Sequence, residues 1–175
     1  MNIHEDVILE EWQEDWGKTF NDERDRIMLA LEENSHHAAV YHVGGTSICG
    51  MTSKPIIDIL VCPERRITLD ECIADLVGIG YQDLGECGRP GRYFFSKGDQ
   101  PNQTFYLHLC HSNHKVAQDQ LLFQRIEQEN PDVCRQYTNM KLMLKSLFPD
   151  NRYMYRQLKG VFIEGVLATW RGKVG

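Results

Sequence analysis

The sequence lacks the short motifs that identify several common classes of protein. It contains no G-x-x-x-x-G-K-[ST] phosphate-binding loop, no H-E-x-x-H metal motif and no G-x-S-x-G nucleophile motif. Its six cysteines include no C-x-x-C pair, which argues against a zinc ribbon or a thioredoxin-like motif. We therefore expect reduced thiols, as is usual in cytosolic proteins.

Long apolar runs and a basic excess are also missing. No run approaches the roughly 20 apolar residues of a membrane helix, and residues 1–16 lack the basic start and apolar core of a signal peptide. We therefore predict a cytoplasmic protein with no membrane partner. The net charge of −6 argues against a nucleic-acid partner, because such proteins neutralise phosphates with an excess of Lys and Arg.

The composition is that of an ordinary globular domain. Of the 175 residues, 42 % are hydrophobic and 25 % are charged, and a chain of this length is typically one domain. We predict one domain over residues 1–175, with a sheet core at about 36–112 and C-terminal helices at about 115–172. The sequence does not indicate an oligomeric state.

The hydrophobic pattern predicts one helix, then a β-rich region that contains a second helix, then three helices. Apolar residues recur at three- and four-residue steps in the helical stretches, whereas 104–110 alternates as a strand does. This order predicts an α+β fold with a mixed, mostly antiparallel sheet of four or five strands. The predicted helices are 7–33, 69–80 with Thr68 as N-cap, 117–129, 131–147 and 150–170; the predicted strands are 38–43, 55–61, 93–97 and 104–110, with a turn at 99–102.

The segment from residue 42 to residue 60 carries the best chemical signal. The first strand runs into Gly44-Gly45-Thr46-Ser47, and the second strand carries one acid, Asp58, among apolar neighbours. Two glycines let backbone N–H groups approach a ligand, and such a turn beside hydroxyl groups suits a phosphate. A carboxylate on an apolar strand is costly unless it is paired or binds a metal such as magnesium.

This pattern resembles the start of the nucleotidyltransferase superfamily signature, and the longer string YHVGGTSICGMTSKPIIDILV resembles the GrpB family (UPF0157). The later strings GRPGRYFF, YLHL, LLFQRIEQENPDVCRQY and FPDNRYMY resemble that family in order and spacing. The resemblance covers essentially the whole chain. It implies a nucleotidyltransferase-like mixed sheet, with helices on one face and a C-terminal helical bundle.

The resemblance also implies roles for individual residues. Gly45, Thr46 and Ser47 match the turn that holds the triphosphate, and Asp58 matches the first metal-binding acid. The implied metal is magnesium, with manganese as the alternative. The second acid of active superfamily members falls on Leu60, so the usual carboxylate pair of two-metal catalysis is missing.

Three interpretations of Leu60 remain open. The chain binds a nucleotide without transferring it, or it uses one metal with Asp58 and His108 as ligands, or it recruits another acid such as Glu86 or Asp99. His108 is the candidate because it stands where a later strand usually supplies the third acid.

Four basic residues are further candidates for phosphate contacts: Lys54, Arg92, Lys141 and Lys159. Arginine makes two-point contacts to phosphate, and lysine acts as a point charge. Each has a simpler interpretation. Asp58 could pair with Lys54 or Arg92, and the two later lysines, each four residues after a tyrosine, could lie on the surface. His42 and His108 could likewise be ordinary strand histidines.

We hypothesise a nucleotidyltransferase-like protein that binds a nucleoside triphosphate with magnesium and, if catalytic, transfers a nucleotidyl group to a small-molecule acceptor. The alternative is a non-catalytic module that binds a nucleotide or phosphate ligand in a degenerate site.

Overall fold

The computed structural model describes residues 6–99 and 103–172. Within them, five strands and five α-helices follow in the order α1, β1, β2, α2, β3, β4, β5, α3, α4, α5. The helices are α1 (Asp15–Glu32), α2 (Leu69–Gly78), α3 (Lys115–Glu129), α4 (Pro131–Leu147) and α5 (Arg152–Arg171). The strands are β1 (Ala38–Val43), β2 (Ile57–Pro63), β3 (Gln82–Asp83), β4 (Tyr93–Lys97) and β5 (Phe105–Leu109).

The strands form one mixed sheet in the order β1-β2-β5-β4-β3. Strands β2 and β5 are parallel, and the other neighbouring pairs are antiparallel. Strand β2 is flanked on both sides, which agrees with its nearly continuous apolar sequence. The α+β class and the mixed, mostly antiparallel sheet are therefore confirmed.

Alternate residues of the strands divide the sheet into two faces. We call one the packed face, because its Ile59, Val61 and Leu107 are fully buried in the largest apolar cluster, together with residues of α1 and α2. We call the other the cleft face. There Asp58 lies opposite Tyr106, and His108 lies opposite Leu60 on one side and Phe94 on the other.

The C-terminal helices lie beside the cleft face. Val116 and Ala117 at the start of α3 pack on Leu60 and Cys62, and so cover one end of this face. A separate apolar cluster holds α3, α4 and α5 together, with the Tyr137 ring stacked on Phe162 at 5.4 Å between ring centroids. The apolar residues at the start of α3 do not cover the part of the cleft face around Asp58.

Local signals predicted several elements well. Strand β1 has the expected bounds, Thr68 and Glu71 form a capping box at the start of α2, and Pro131 occupies the first turn of α4. Such caps satisfy the first backbone N–H groups of a helix within a few residues, so the sequence reveals them.

Other boundaries were wrong. The first helix begins at Asp15 and not at residue 7, because Val7 and Glu10 donate backbone hydrogen bonds to Pro149 and Ser53 in an extended segment. The second strand is 57–63 and not 55–61. The two-residue strand β3 was not predicted. Of the predicted 99–102 turn, residues 100–102 lie outside the described part of the chain.

Two further expectations concern cysteines and membranes. All six cysteines are free thiols. Among the residues the structure describes, no helix has the length and apolar character needed to cross a membrane.

Candidate functional site

The Gly-Gly turn lies directly against Asp58. Val43 at the end of β1 pairs with Asp58 on β2, so the chain leaves β1 beside the carboxylate. Gly44 has φ +72°, and a Cβ there would lie 2.6 Å from Asp58 Oδ2. Only glycine satisfies both the backbone conformation and the close approach. The glycine pair and the acid that were identified in the sequence are therefore in contact in the folded protein.

The hydroxyl groups of the turn are held by the protein itself. Residues 45–47 form one 3-10 turn, in which the Ser47 hydroxyl donates to Gly44 O at 2.6 Å. The Thr46 hydroxyl lies 3.0 Å from His42 Nε2. From α3, the Gln124 amide donates to Ser47 Oγ at 2.9 Å and to His42 O at 2.6 Å. The turn is thus fixed in shape without a ligand.

His42 belongs to the support of this turn. Its ring stacks on Phe20 of α1 at 4.6 Å between centroids, on the packed face. Burial lowers the pKa of His42 to about 4, so the ring is neutral near pH 7. This agrees with the interpretation of His42 as an ordinary strand histidine with a satisfied nitrogen.

Asp58 is partly buried amid positive charge. Burial raises the pKa of Asp58 to about 6, whereas Lys159, Lys54 and Arg152 act in the opposite direction. Desolvation disfavours the charged carboxylate, and the neighbouring cations favour it. Since the pKa stays above its usual range, the desolvation effect is the larger of the two.

The cations around Asp58 come from two elements. Lys54 precedes β2 and lies over the Tyr155 ring, with Nζ 5.2 Å from the centroid. Burial, then repulsion from Arg152, Lys159 and Arg156 on α5, lowers the pKa of Lys54 to about 7. Burial is also the main reason why the pKa of Lys159 is lowered. We call Lys54, Arg152, Arg156 and Lys159 the cationic wall.

Lys141 has a different setting from the one predicted. It is only 3 % exposed, so the interpretation as a surface lysine is wrong. Its ammonium donates to Thr52 O and, at 3.2 Å, to Ser53 Oγ. A Cβ at Gly45 would overlap the Ser53 hydroxyl and lie 3.3 Å from Lys141 Nζ. Lys141 therefore packs against the turn at Gly45, and its ammonium and the Ser53 hydroxyl leave no room there for a side chain.

A buried acid accompanies Lys141. Glu127 on α3 is 3 % exposed, and burial raises its pKa to about 8 while Lys141 and Lys159 lower it. Burial lowers the pKa of Lys141 to about 7. Glu127 Oε1 has no hydrogen-bond partner among the described residues. This glutamate was not predicted as a site residue, because no local pattern distinguishes it from the other acids of α3.

Arg92 and His108 lie further along the cleft face. The Arg92 guanidinium is 5.1 Å from the centroid of the Phe94 ring, and the Phe94 and His108 rings are 5.1 Å apart. Burial, then the charges of Arg92 and Arg89, lowers the pKa of His108 to about 3. Arg92 exerts no resolved effect on the pKa of Asp58, so Lys54 and not Arg92 is the charge beside that acid.

The position of the missing second acid is apolar in three dimensions as well. Leu60 is fully buried, with Val43, Cys110 and Val116 in its cluster. The proposed substitute Glu86 accepts a hydrogen bond from Gly91 N at 2.6 Å in the loop before β4. Within residues 6–99 and 103–172, no three His, Cys, Asp or Glu side chains are grouped as metal ligands, and this includes the histidines of β5 and the following loop.

The structure brings together most of the predicted site residues. Gly44, Lys54 and Lys159 lie around Asp58, and Gly45 lies against Ser53 and Lys141, whereas Arg92 and His108 form a neighbouring cluster. Two cations of this group, Arg152 and Arg156, were not predicted from the sequence; the Arg152 guanidinium donates to Tyr106 Oη at 2.6 Å. Their spacing from Lys159, at i, i+4 and i+7 of one helix, is the signal that could have found them.

Comparison with known proteins identifies relatives along nearly the whole chain. A family model described as GrpB protein matches residues 6–169. UPF0157 protein YqkA of Bacillus subtilis is 29 % identical over 91 % of this chain and 45 % of its own length. A UPF0157 protein of Pseudomonas aeruginosa is 32 % identical over 87 % of this chain and 62 % of its own length. The chain thus spans between about half and two thirds of these two relatives.

Solved structures show the same fold. The crystal structure of the conserved protein GrpB from Enterococcus faecalis has a TM-score of 0.79 and 29 % identity, and covers 93 % of this chain and 99 % of that one. The Cid1 poly(U) polymerase, in a structure with MgGTP bound, has a TM-score of 0.50 and 16 % identity, and covers 77 % of this chain and 43 % of that one. The chain therefore has a nucleotidyltransferase-like fold, and it belongs to the GrpB family.

Proposed function

We propose that this protein binds the triphosphate of a nucleotide in the cleft between the sheet and α5. One observation carries the proposal. Three cations, Lys54, Arg152 and Lys159, act on the carboxylate of Asp58, and a fourth, Arg156, lies close enough to lower the pKa values of both lysines, in a chain whose net charge is −6.

The energetics of this cluster support a polyanionic ligand. Burial and mutual repulsion lower the pKa values of Lys54 and Lys159, so gathering these side chains costs free energy in the protein alone. A triphosphate would offset the repulsion, and its oxygens would accept charge-assisted hydrogen bonds from the same groups. The fold likeness to Cid1, a poly(U) polymerase whose crystal structure contains bound MgGTP, is compatible with a nucleotide as the ligand.

The turn has a supporting part in this proposal. Its backbone would face the phosphates, since the Thr46 and Ser47 hydroxyls already have partners in His42, Gly44 and Gln124. Lys141 would act through the turn rather than on the ligand, because its ammonium bonds to Thr52 O and Ser53 Oγ.

Magnesium fits this site in one restricted way. Asp58 is a single carboxylate, and the described residues do not group it with two further metal ligands. A magnesium ion that arrives with the triphosphate needs only one or two protein carboxylates, because phosphates and water supply its other ligands. Asp58 would be that ligand, for magnesium or for manganese, and the bound ion would neutralise phosphate charge.

Nucleotidyl transfer to a small-molecule acceptor is the second candidate function. Its support is the position of Asp58 against the Gly-Gly turn in a nucleotidyltransferase-like fold. Against it stands Leu60, which is buried in an apolar cluster where the second carboxylate would be needed. We therefore place binding first and transfer second.

Thermal unfolding in the presence of ATP, GTP, CTP or UTP, with and without magnesium or manganese, tests the binding proposal. At a hundredfold excess over Kd, a ligand stabilises the native state by about 2.7 kcal/mol, which raises Tm by about 5–10 °C for a chain of this size. We expect such a shift with at least one nucleotide. A folded sample that shows no shift with any of the four would refute the proposal.

A pair of lysine substitutions makes the test specific. Lys159→Met removes one charge from the cationic wall, whereas Lys18→Met removes the same charge from an exposed position on α1. We expect Lys159→Met to weaken nucleotide binding at least tenfold and Lys18→Met to change it less than twofold, as measured by calorimetric titration. Equal effects would mean that net charge alone governs the binding.

An assay of pyrophosphate release separates the two candidate functions. Transfer predicts release from the bound triphosphate when an acceptor is present, and Asp58→Asn should abolish the release. Binding alone predicts a Tm shift without release.

A further inference from the structure

A second cluster of polar side chains lies on the cleft face, beyond Asp58. Asp58 is opposite Tyr106, whereas His108 is two residues further along β5, a distance of about 6–7 Å along the strand. Arg92 immediately precedes β4, and its guanidinium lies over the Phe94 ring, which in turn contacts His108. The cluster thus adjoins the cationic wall without sharing its residues.

Two atoms of this cluster lack hydrogen bonds. Among the residues that the structure describes, Arg92 Nε and His108 Nδ1 are buried and have no partner. Arg92 is only 5 % exposed, so water has little access to its guanidinium. A buried polar group without a partner costs about 1–3 kcal/mol, and more when it is charged. Such a cost is unusual in a native protein and calls for a partner.

The charge of the cluster specifies what that partner is. Arg89 and Arg92 are close enough that each is a cause of the lowered pKa of His108. No carboxylate of the described residues forms an ion pair with either arginine or counters the lowering of the Arg92 pKa. His108 is neutral near pH 7, so one of its ring nitrogens carries hydrogen and can donate. The cluster is therefore positively charged and rich in donors, and no carboxylate balances its charge.

We propose that Arg92 and His108 form a second anion-binding subsite, which takes the phosphate group of a second ligand while the cationic wall holds the nucleotide. This inference rests on the proposed function, because it assigns the second ligand of the same cleft. It identifies that ligand, the acceptor if transfer occurs, as a phosphate monoester.

The geometry of the groups favours phosphate. Arg92 Nε and a terminal nitrogen can donate in parallel to two oxygens of one phosphate, and the Phe94 ring fixes the plane of the guanidinium from one side. In the tautomer that carries its hydrogen on Nδ1, His108 would donate to the same group. The His108 residue is partly exposed, so the subsite borders the protein surface.

Titration of methyl phosphate into the protein tests the subsite, first alone and then with a saturating non-hydrolysable ATP analogue and magnesium present. We expect one methyl phosphate to remain bound per chain when the analogue occupies the cationic wall, and acetate at the same concentration to bind there at least tenfold more weakly. Complete displacement of methyl phosphate by the ATP analogue would overturn the proposal, since both would then occupy one site. Equal binding of acetate would overturn the choice of phosphate.

Matched arginine variants identify the residue responsible. Arg92→Lys keeps the charge but removes the two-point donor, whereas Arg66→Lys makes the same change at an exposed arginine paired with Glu64. We expect Arg92→Lys to weaken methyl phosphate binding at least tenfold and Arg66→Lys to leave its affinity within twofold. If circular dichroism shows that both variants are folded and they bind methyl phosphate equally well, the assignment of Arg92 to the subsite is refuted.

An NMR measurement on the unmutated protein avoids any folding defect. Methyl phosphate should shift the imidazole ¹⁵N resonances of His108 and leave those of exposed His37 unchanged. No shift at His108 when methyl phosphate binds would place the anion elsewhere. If the ATP analogue fails to bind but methyl phosphate still shifts His108, the proposed function fails and the anion subsite stands.

Discussion

The two faces of the sheet are made by the same strands but differ in what they hold. On the packed face, Ile59 and Leu107 are fully buried among apolar side chains of α1 and α2. One residue away on the cleft face, Asp58 and His108 have pKa values displaced by burial, and His108 Nδ1 has no hydrogen-bond partner in the part of the chain described. The packed face supplies stability, whereas the cleft face gives up some stability to hold polar groups in place.

The packed face should be far more sensitive to loss of a side chain. Leu107→Ala removes a fully buried side chain from β5, and such substitutions cost about 2–5 kcal/mol. Tyr106→Phe, the neighbouring residue on the cleft face, removes a hydroxyl that accepts from Arg152 and should cost about 0.5–1.5 kcal/mol. Urea unfolding of both variants measures the difference. Equal losses would contradict the division of the sheet into two faces.

The Gly-Gly turn should tolerate alanine poorly because the turn meets the cleft face. Gly44→Ala should cost about 1–3 kcal/mol through the strained backbone, and its Cβ would displace the Asp58 carboxylate and weaken nucleotide binding. Gly50→Ala is the control, because Gly50 has φ +77° but no atom within 4 Å of the added Cβ. Unfolding and nucleotide titration of the two variants separate backbone strain from the contact. Equal loss of nucleotide affinity in both would argue against the role of the contact.

The pH dependence of stability should reveal the burial of Asp58. Its pKa is 3.8 in a model peptide and about 6 in the folded protein, so the native state binds more protons than the unfolded state between these pH values. Stability from this group is therefore present at low pH and is lost as pH rises from about 4 to about 6.

Asp58→Asn removes this contribution. Relative to the unmodified protein, the variant should gain about 1–2 kcal/mol between pH 4 and pH 7, a value reduced from the full shift because Asp58 is partly exposed. Unfolding by urea at a series of pH values measures the gain. A constant difference between the two proteins across this range would show that the carboxylate is not desolvated.

The sequence predicted the helices and strands better than it predicted the tertiary contacts between them. The β1 strand, the Thr68 cap and the alternation of β5 depend on neighbours in the chain, and all three are present. The first helix was predicted eight residues too early, because apolar spacing continues into a segment whose backbone bonds to Pro149 and Ser53. Those partners are distant in sequence, and nothing local indicates them.

The candidate site shows the same limit. Gly44, Gly45 and Asp58 could be identified because the glycine pair and the lone acid are unusual in themselves. The burial of Lys141 behind the turn could not, because it depends on the contact of α4 with residues 52–53. The contact of Lys54 with the Tyr155 ring of α5 likewise depends on how the helices lie on the sheet.

By itself, the sequence determined most of the helices and strands and where the chain can turn, since these follow from periodicity, capping and residue type. The resemblance to the nucleotidyltransferase superfamily, and not the pattern, identified Leu60 as the position without the second acid. Only the tertiary structure decided the strand order, with β5 inserted parallel to β2, and so placed His108 on the same face of the sheet as Asp58, two residues beyond the position opposite that acid. Strand order and register are set by hydrogen bonds and packing between segments far apart in the chain, which leave no local pattern. The two candidate anion sites are consequences of that packing.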